Sequence, residues 1–360
     1  MEIRENNIIF LLGAGCSKSA GIPISVEMVQ RVEKLLITDS EWKKHTSLYN
    51  YLRSSIEYSE GIFGNFGNTF NIERLLVVMN EIEKRDRNII YPFIGSWNLR
   101  LSDVAGQNFE KITELKRLIK DKLLDWTNPK GLTKKADYYK GFARLRSEVA
   151  YSPIRVFSLN YDLCFEKAVG EDEVEQGFDP KTNEWQYANF EEPRKPFYLY
   201  KLHGSVNWYT DKHTGKLMLS NHPVTNPELI FGIDTKLKSS DPYFFYTSEF
   251  RKWLLHKDCR LIVTIGYSFA DEYINDLISQ SIINDNQKQL LVIMLEDEDK
   301  IDKRKEAISE QLHFTFDYNK HCCERINIYS KKAEEFLSNE MTADFFIDNK
   351  YISNDNDSPF

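Results

Sequence analysis

No Cys-x-x-Cys pair occurs among the five cysteines, Cys16, Cys164, Cys259, Cys322 and Cys323. With that spacing missing and the count odd, neither a zinc module nor a disulfide framework is expected, and the reading is a chain of the reducing cytoplasm. No apolar run is long enough to span a membrane, and the opening stretch MEIRENNIIFLLGAG is too short for a signal peptide. Lys and Arg nowhere form a block and the formal net charge is −8, which argues against direct nucleic acid binding. A Walker phosphate loop, internal repeats and low-complexity tracts are also missing. What is present is globular: 360 residues suffice for a real core, and an aromatic share of 13% is foreign to disordered chains.

The first apolar run, Asn7–Leu12, is continuous and ends in Gly13-Ala14-Gly15. That pattern suits a parallel strand buried on both faces. A helix is expected over Ser25–Ile37, from the spacing of Val29, Val32, Leu35 and Leu36. Residues 38–149 are rich in Lys, Glu and Asn, with helical stretches at Ile72–Ile82 and Phe109–Leu124, and read as a mainly helical insertion. Strand signals return at Ile154–Leu159, Phe197–Leu202, Leu261–Ile265, Leu290–Leu295 and Arg325–Tyr329. Strands alternating with helices predict a Rossmann-like α/β fold, a doubly wound parallel sheet. The catalytic domain is then discontinuous, 1–37 and 150–335, with 336–360 as a C-terminal tail. Residues 171–196 read as a loop insertion, and 207–250 as irregular.

Four clusters sit where strands end, the edge at which ligands collect in open α/β sheets. Gly13-Ala14-Gly15-Cys16-Ser17, followed by Gly21-Ile22-Pro23, can let a phosphate approach the backbone, or be an ordinary strand-to-helix turn. The third glycine of a dehydrogenase fingerprint is replaced by Lys18. Ser158-Leu159-Asn160-Tyr161-Asp162 offers an amide and a carboxylate two residues apart. Its alternative is a strand end with Asp162 capping the next helix. Lys201-Leu202-His203-Gly204-Ser205 offers a general base, or a structural histidine. Gly266-Tyr267-Ser268-Phe269-Ala270-Asp271 offers close approach and a hydroxyl, or a plain turn.

Together and in this order, GAGCSKSAGIP, SLNYD, KLHGS and GYSFAD resemble the sirtuin superfamily, over about residues 7–24 and 154–330. The resemblance implies an NAD site. Gly13, Ala14, Gly15 and Ser17 would line the pyrophosphate, and Gly21 would belong to the same cofactor-binding set. Ile22 and Pro23 would border the nicotinamide. Asn160 would position the ribose or an attacking water, Asp162 would hold the carboxamide, and His203 would be the base. Gly266 and Ser268 would contact the phosphates and the adenine-side ribose, and Glu296 the adenosine ribose.

The departures are informative. Sirtuin deacylases carry a four-cysteine zinc module, Phe-Arg after Gly-Ile-Pro, and a glutamine before the asparagine. Here there is no module and no metal is expected, Ile24-Ser25 follows Pro23, and Leu159 precedes Asn160. These features resemble bacterial sirtuin-like effectors that degrade NAD in antiphage defence. The implied activity is an NAD glycohydrolase that releases nicotinamide and ADP-ribose. Gating is expected from a homo-oligomer or from a partner such as a hexameric HerA-type ATPase or a short Argonaute. The alternatives are an NAD-dependent protein deacylase and a non-catalytic module that binds NAD or ADP-ribose.

Overall fold

Runs such as IIFLL and LIVTI have no polar face, so they form strands only where both sides are covered. The computed structural model describes residues 3–62, 70–84, 99–149, 153–191, 195–229, 241–314, 319–349 and 351. In it β1 (Ile8–Leu12), β2 (Ile154–Ser158), β4 (Phe197–Lys201) and β7 (Leu261–Ile265) are buried at every residue. With β3 (Val174–Glu175), β8 (Gln289–Met294) and β9 (Ile326–Ser330) they form a seven-stranded sheet of order β3-β4-β2-β1-β7-β8-β9. Every pairing is parallel. The Rossmann-like parallel α/β class expected from the sequence is the one that forms. From β1 the chain order runs outward through β2 and β4 on one side, and through β7, β8 and β9 on the other. The order reverses between β1 and β7, and the carboxyl ends at such a switch are where folds of this class place ligands.

Alternate residues serve opposite faces, as the pleat requires. Ile8, Phe10 and Leu12 join Val156, Leu199, Val263 and Ile293 in one core. Phe10 there meets Phe142 edge-on at 5.2 Å and Phe346 at 6.2 Å. On the other face Phe157 stacks on Tyr200 at 4.5 Å and tilts against Phe250 at 4.8 Å.

The chain divides into two compact units, one of Met1–Ile22, Asn128–Leu229 and Lys236–Phe360, the other of Pro23–Thr127 and Ile230–Thr235. This differs from the sequence reading at three boundaries. The helix Ser25–Thr38 groups with the helical unit, where Ser25 Oγ accepts from the Ile72 backbone N–H at 3.3 Å. Residues 128–149 group with the sheet, because Leu132, Ala136, Tyr138, Tyr139, Phe142 and Leu145 are core residues beneath it. Residues 336–360, expected as a tail, are a core element over 336–349: Phe336, Leu337, Met341 and Phe346 are fully buried, and Arg144 donates to the carbonyls of Leu337 and Met341 at 3.0 and 3.2 Å. Residues 352–360 lie outside the described residues.

Two regions read from the sequence as loop or irregular hold further elements. β3, inside the expected loop 171–196, is only two residues long and carries no alternation. Within 207–250 lie the hairpin of β5 (Trp208–Thr210) and β6 (Leu217–Leu219) and most of the helix Tyr243–Leu254. That helix buries Tyr243, Tyr246, Phe250 and Leu254, a helical stripe masked by its aromatic richness. Among the described residues no helix is long and apolar enough to cross a membrane.

Candidate active site

Register brings the motifs together. Leu12 pairs with Ser158 and with Ile265, and Ser158 pairs with Lys201. The ladder then continues one step: Leu159 N–H donates to Leu12 O, Leu202 N–H to Ser158 O, Gly13 N–H to Ile265 O, and Gly266 N–H to Ile293 O. Asn160 and His203 therefore each emerge two residues past a paired strand end, on neighbouring strands. Gly13 and Gly266 stand one residue past theirs. The Tyr161 and His203 rings lie 6.3 Å apart.

Polar groups concentrate at this edge, although it is buried. Ser17, Ser158, Asn160, Asp162, Glu166, Lys201, His203, Ser205 and Asp271 are all buried. Burial on that scale is tolerable only if the groups are paired. Asn160 Nδ2 donates to Gly13 O at 2.9 Å and to Ser17 Oγ at 3.2 Å, so the amide ties β2 to the glycine turn. Lys201 Nζ donates to Ser205 Oγ at 3.0 Å, to Glu166 Oε1 at 3.1 Å, and to the Asp162 carbonyl. Val206 N–H donates to Tyr161 O at 3.0 Å. One buried ammonium thus clamps together the loops that carry Asn160 and His203. Burial raises the Glu166 carboxyl above its ordinary range, against the pull of Lys201.

His203 is 4% exposed and its Nε2 lies 3.2 Å from Asp271 Oδ2, while among the described residues its Nδ1 is buried with no hydrogen-bond partner. Asp271 was outside the expected site, although the GYSFAD motif contains it. Its signal is only the coincidence of an acid after one strand and a histidine after another, 68 residues apart.

Several expected residues sit differently from a simple ligand-lining role. Asp162 Oδ1 accepts from the N–H of Cys164, the first residue of the helix Cys164–Val169, at 2.9 Å; this is a local turn contact, and the N-cap position itself is Leu163. Ser17 is fully buried, with Oγ also bonded to Tyr139 Oη at 2.9 Å, so its hydroxyl is engaged within the protein. A Cβ on Gly13 or Gly15 would meet the Gly266 backbone at 2.6 and 2.9 Å. These glycines are needed first for turn-on-turn packing. The element after them is a seven-residue 3₁₀ helix, Ala14–Ala20, and the longer helix expected from the sequence begins only at Ser25. Ala14 and Ser268 are exposed at this end, Gly15 and Gly266 are partly exposed, and Gly21 is an exposed left-handed residue at φ 89°. Ile22 is buried and groups with the sheet unit, and Pro23 is buried and groups with the helical unit. Glu296 follows β8 and pairs with Arg304 at 2.7 Å, which holds its carboxyl below the usual range.

Thiol chemistry does not fit the site. Burial pushes Cys16 up to about 12 and raises Cys164 further, leaving both protonated. Among the described residues no group of three or more His, Cys, Asp or Glu could hold a metal ion.

Comparison with known proteins agrees in part with the motifs. Residues 154–316, from β2 to just beyond the helix Ile301–Gln311, match the family model of the SIR2-like domain. No curated protein matches the sequence. Among solved structures, one described as "Structure of Sir2Tm bound to a propionylated peptide" is similar at 12% identity and a TM-score of 0.34, covering 92% of this chain and 90% of that one.

Proposed function

We propose that this chain binds NAD at the carboxyl end of its parallel sheet and hydrolyses the nicotinamide–ribose bond to nicotinamide and ADP-ribose. The observation that carries the reading is the buried imidazole of His203, carboxylate-partnered on one nitrogen and without a partner among the described residues on the other, next to the strand that carries Asn160. A buried polar nitrogen left open is costly unless a ligand or water completes it. The SIR2-like match over 154–316 supports NAD as that ligand.

The positively charged nicotinamide ring is a ready leaving group, so the protein needs to hold the ribose and present water to the opposite face. The Asn160 nitrogen is committed to Gly13 and Ser17, which leaves Oδ1 to orient water or a ribose hydroxyl. His203 accepts the proton. Gly13, Ala14, Gly15, Gly266 and the exposed Ser268 are assigned to the phosphates, Asp162 to the carboxamide, Ile22 and Pro23 to the nicotinamide border, and Glu296 to the adenosine ribose. No metal enters this scheme.

An enzyme that drains NAD requires gating. We assign the chain to an NAD-depleting role in antiviral defence, controlled by self-assembly or by a partner ATPase or Argonaute, with the helical unit as the contact surface. Purified chain incubated with NAD, alone and with its partner, is expected to release nicotinamide and ADP-ribose in equal amounts. Asn160→Ala and His203→Ala are each expected to abolish release. Release that both variants retain, or that requires an acylated peptide, would overturn the hydrolase reading.

A further inference from the structure

We propose that Asp271 is a positioning residue that fixes the tautomer of His203, holding the proton on Nε2 so that Nδ1 is the proton acceptor. The inference deepens the NAD hydrolase reading and rests on it for its role in turnover. A carboxylate can only accept hydrogen bonds, so an Nε2 that lies 3.2 Å from Asp271 Oδ2 carries the hydrogen. The lone pair then falls on Nδ1, the nitrogen without a protein partner among the described residues.

Asp271 is itself held. It is 8% exposed and N-caps the 13-residue helix Glu272–Asn284, with Oδ1 accepting from Ile274 N–H at 3.4 Å. The positive end of that helix favours the carboxylate. Its carbonyl accepts from Tyr267 Oη at 3.2 Å and from Asn275 N–H at 2.9 Å. Asn275 Nδ2 in turn donates to Phe269 O at 2.8 Å, restraining a residue in the left-handed region at φ 59°. The turn after β7 thus presents one carboxylate oxygen to the helix and the other to the imidazole.

In the reaction a C–O bond forms between water and the anomeric carbon. The C–N bond to nicotinamide breaks, and its electron pair leaves on the nicotinamide nitrogen. The water proton passes to His203 Nδ1 and then to solvent, so the products are nicotinamide, ADP-ribose and one proton.

Asp271→Asn separates this role from capping. Its Oδ1 still accepts from Ile274 N–H, but its Nδ2 now faces Nε2 and donates to it. The imidazole proton is then driven to Nδ1 and the acceptor is lost. Nitrogen-15 NMR on histidine-labelled protein, with the His203 signals assigned by their absence in His203→Gln, reads the tautomer without reference to activity. The expected result is a protonated Nε2 in the parent chain and a protonated Nδ1 in Asp271→Asn. The thermal midpoint and KM should stay close to those of the parent, while kcat falls about 10²–10⁴-fold. Asp271→Ala is expected to lose both midpoint and turnover. An unchanged tautomer, an unchanged kcat, or an Asp271→Asn chain as destabilised as Asp271→Ala would make Asp271 a cap and nothing more. If the parent chain cleaves no NAD even with its partner, the hydrolase reading fails, and the NMR result still decides the tautomer.

Discussion

Two histidines are buried in this molecule, one in each unit, and they are treated differently. His203 in the sheet unit has a carboxylate at hydrogen-bonding distance on one nitrogen and, among the described residues, no partner on the other. His45 in the helical unit is fully buried, and among the described residues neither of its nitrogens has a hydrogen-bond partner. The nearest acid, Glu114, stands 3.5 Å away and is also engaged with Lys44 at 2.5 Å. Burial is the main reason the His45 pKa falls below its ordinary value; Glu114 opposes this, and Lys44 and Lys111 reinforce it. The two sites teach that burial by itself only makes a ring harder to protonate. A ring equipped for proton transfer needs a fixed partner on one side and room for a ligand on the other.

The largest effects should come from the site itself. Asn160→Ala and His203→Ala should each lower turnover with NAD by about 10²–10⁴-fold or more, about 3–5.5 kcal/mol of barrier, in an assay of nicotinamide release. His45→Gln should leave turnover unchanged. If His45→Gln matched His203→Ala, the contrast between the two rings would fail.

Next is the clamp beneath the site. Lys201→Met strands the Glu166 carboxylate and should destabilise the sheet unit by about 3–5 kcal/mol, measured by urea unfolding. The double variant with Glu166→Gln should recover part of that loss, because no charge is then left unpaired. Gly266→Ala should cost about 2–4 kcal/mol in the same measurement, because Gly266 sits at φ 64° and a Cβ would lie 2.1 Å from the Cys16 nitrogen.

The smallest effect concerns pH. The folded pKa of His45 lies below its unfolded value of about 6.5, so the unfolded chain binds more protons in that range. Its contribution is fully present above the unfolded pKa and is lost as pH falls through the folded value. Urea midpoints taken between pH 8 and pH 5 should therefore drop less in His45→Gln than in the parent chain. An equal drop in both would remove His45 as the cause.

How much of this the residues disclose in advance follows from burial. β1, β2, β4 and β7 are legible within a residue because strands covered on both faces must be apolar throughout. The carboxyl-end placement of Asn160 and His203 follows from parallel topology once those strands are assigned. Pairings distant in sequence are not legible: neither the bond from Asn160 to Ser17 nor that from Asp271 to His203 leaves a local pattern. Boundaries failed for the same reason. Tyr139, Phe142 and Phe346 lie in short helices whose partner is a sheet face, so no periodicity of their own marks them as core.

The central claim is spatial, and a crystal structure of the chain with ADP-ribose tests it most directly. The account predicts the anomeric carbon of the bound ribose between Asn160 and the Nδ1 side of His203, with the diphosphate against the Gly13–Gly15 and Gly266–Ser268 turns. A ligand bound elsewhere, or one that leaves His203 Nδ1 turned away from the ribose, would contradict it.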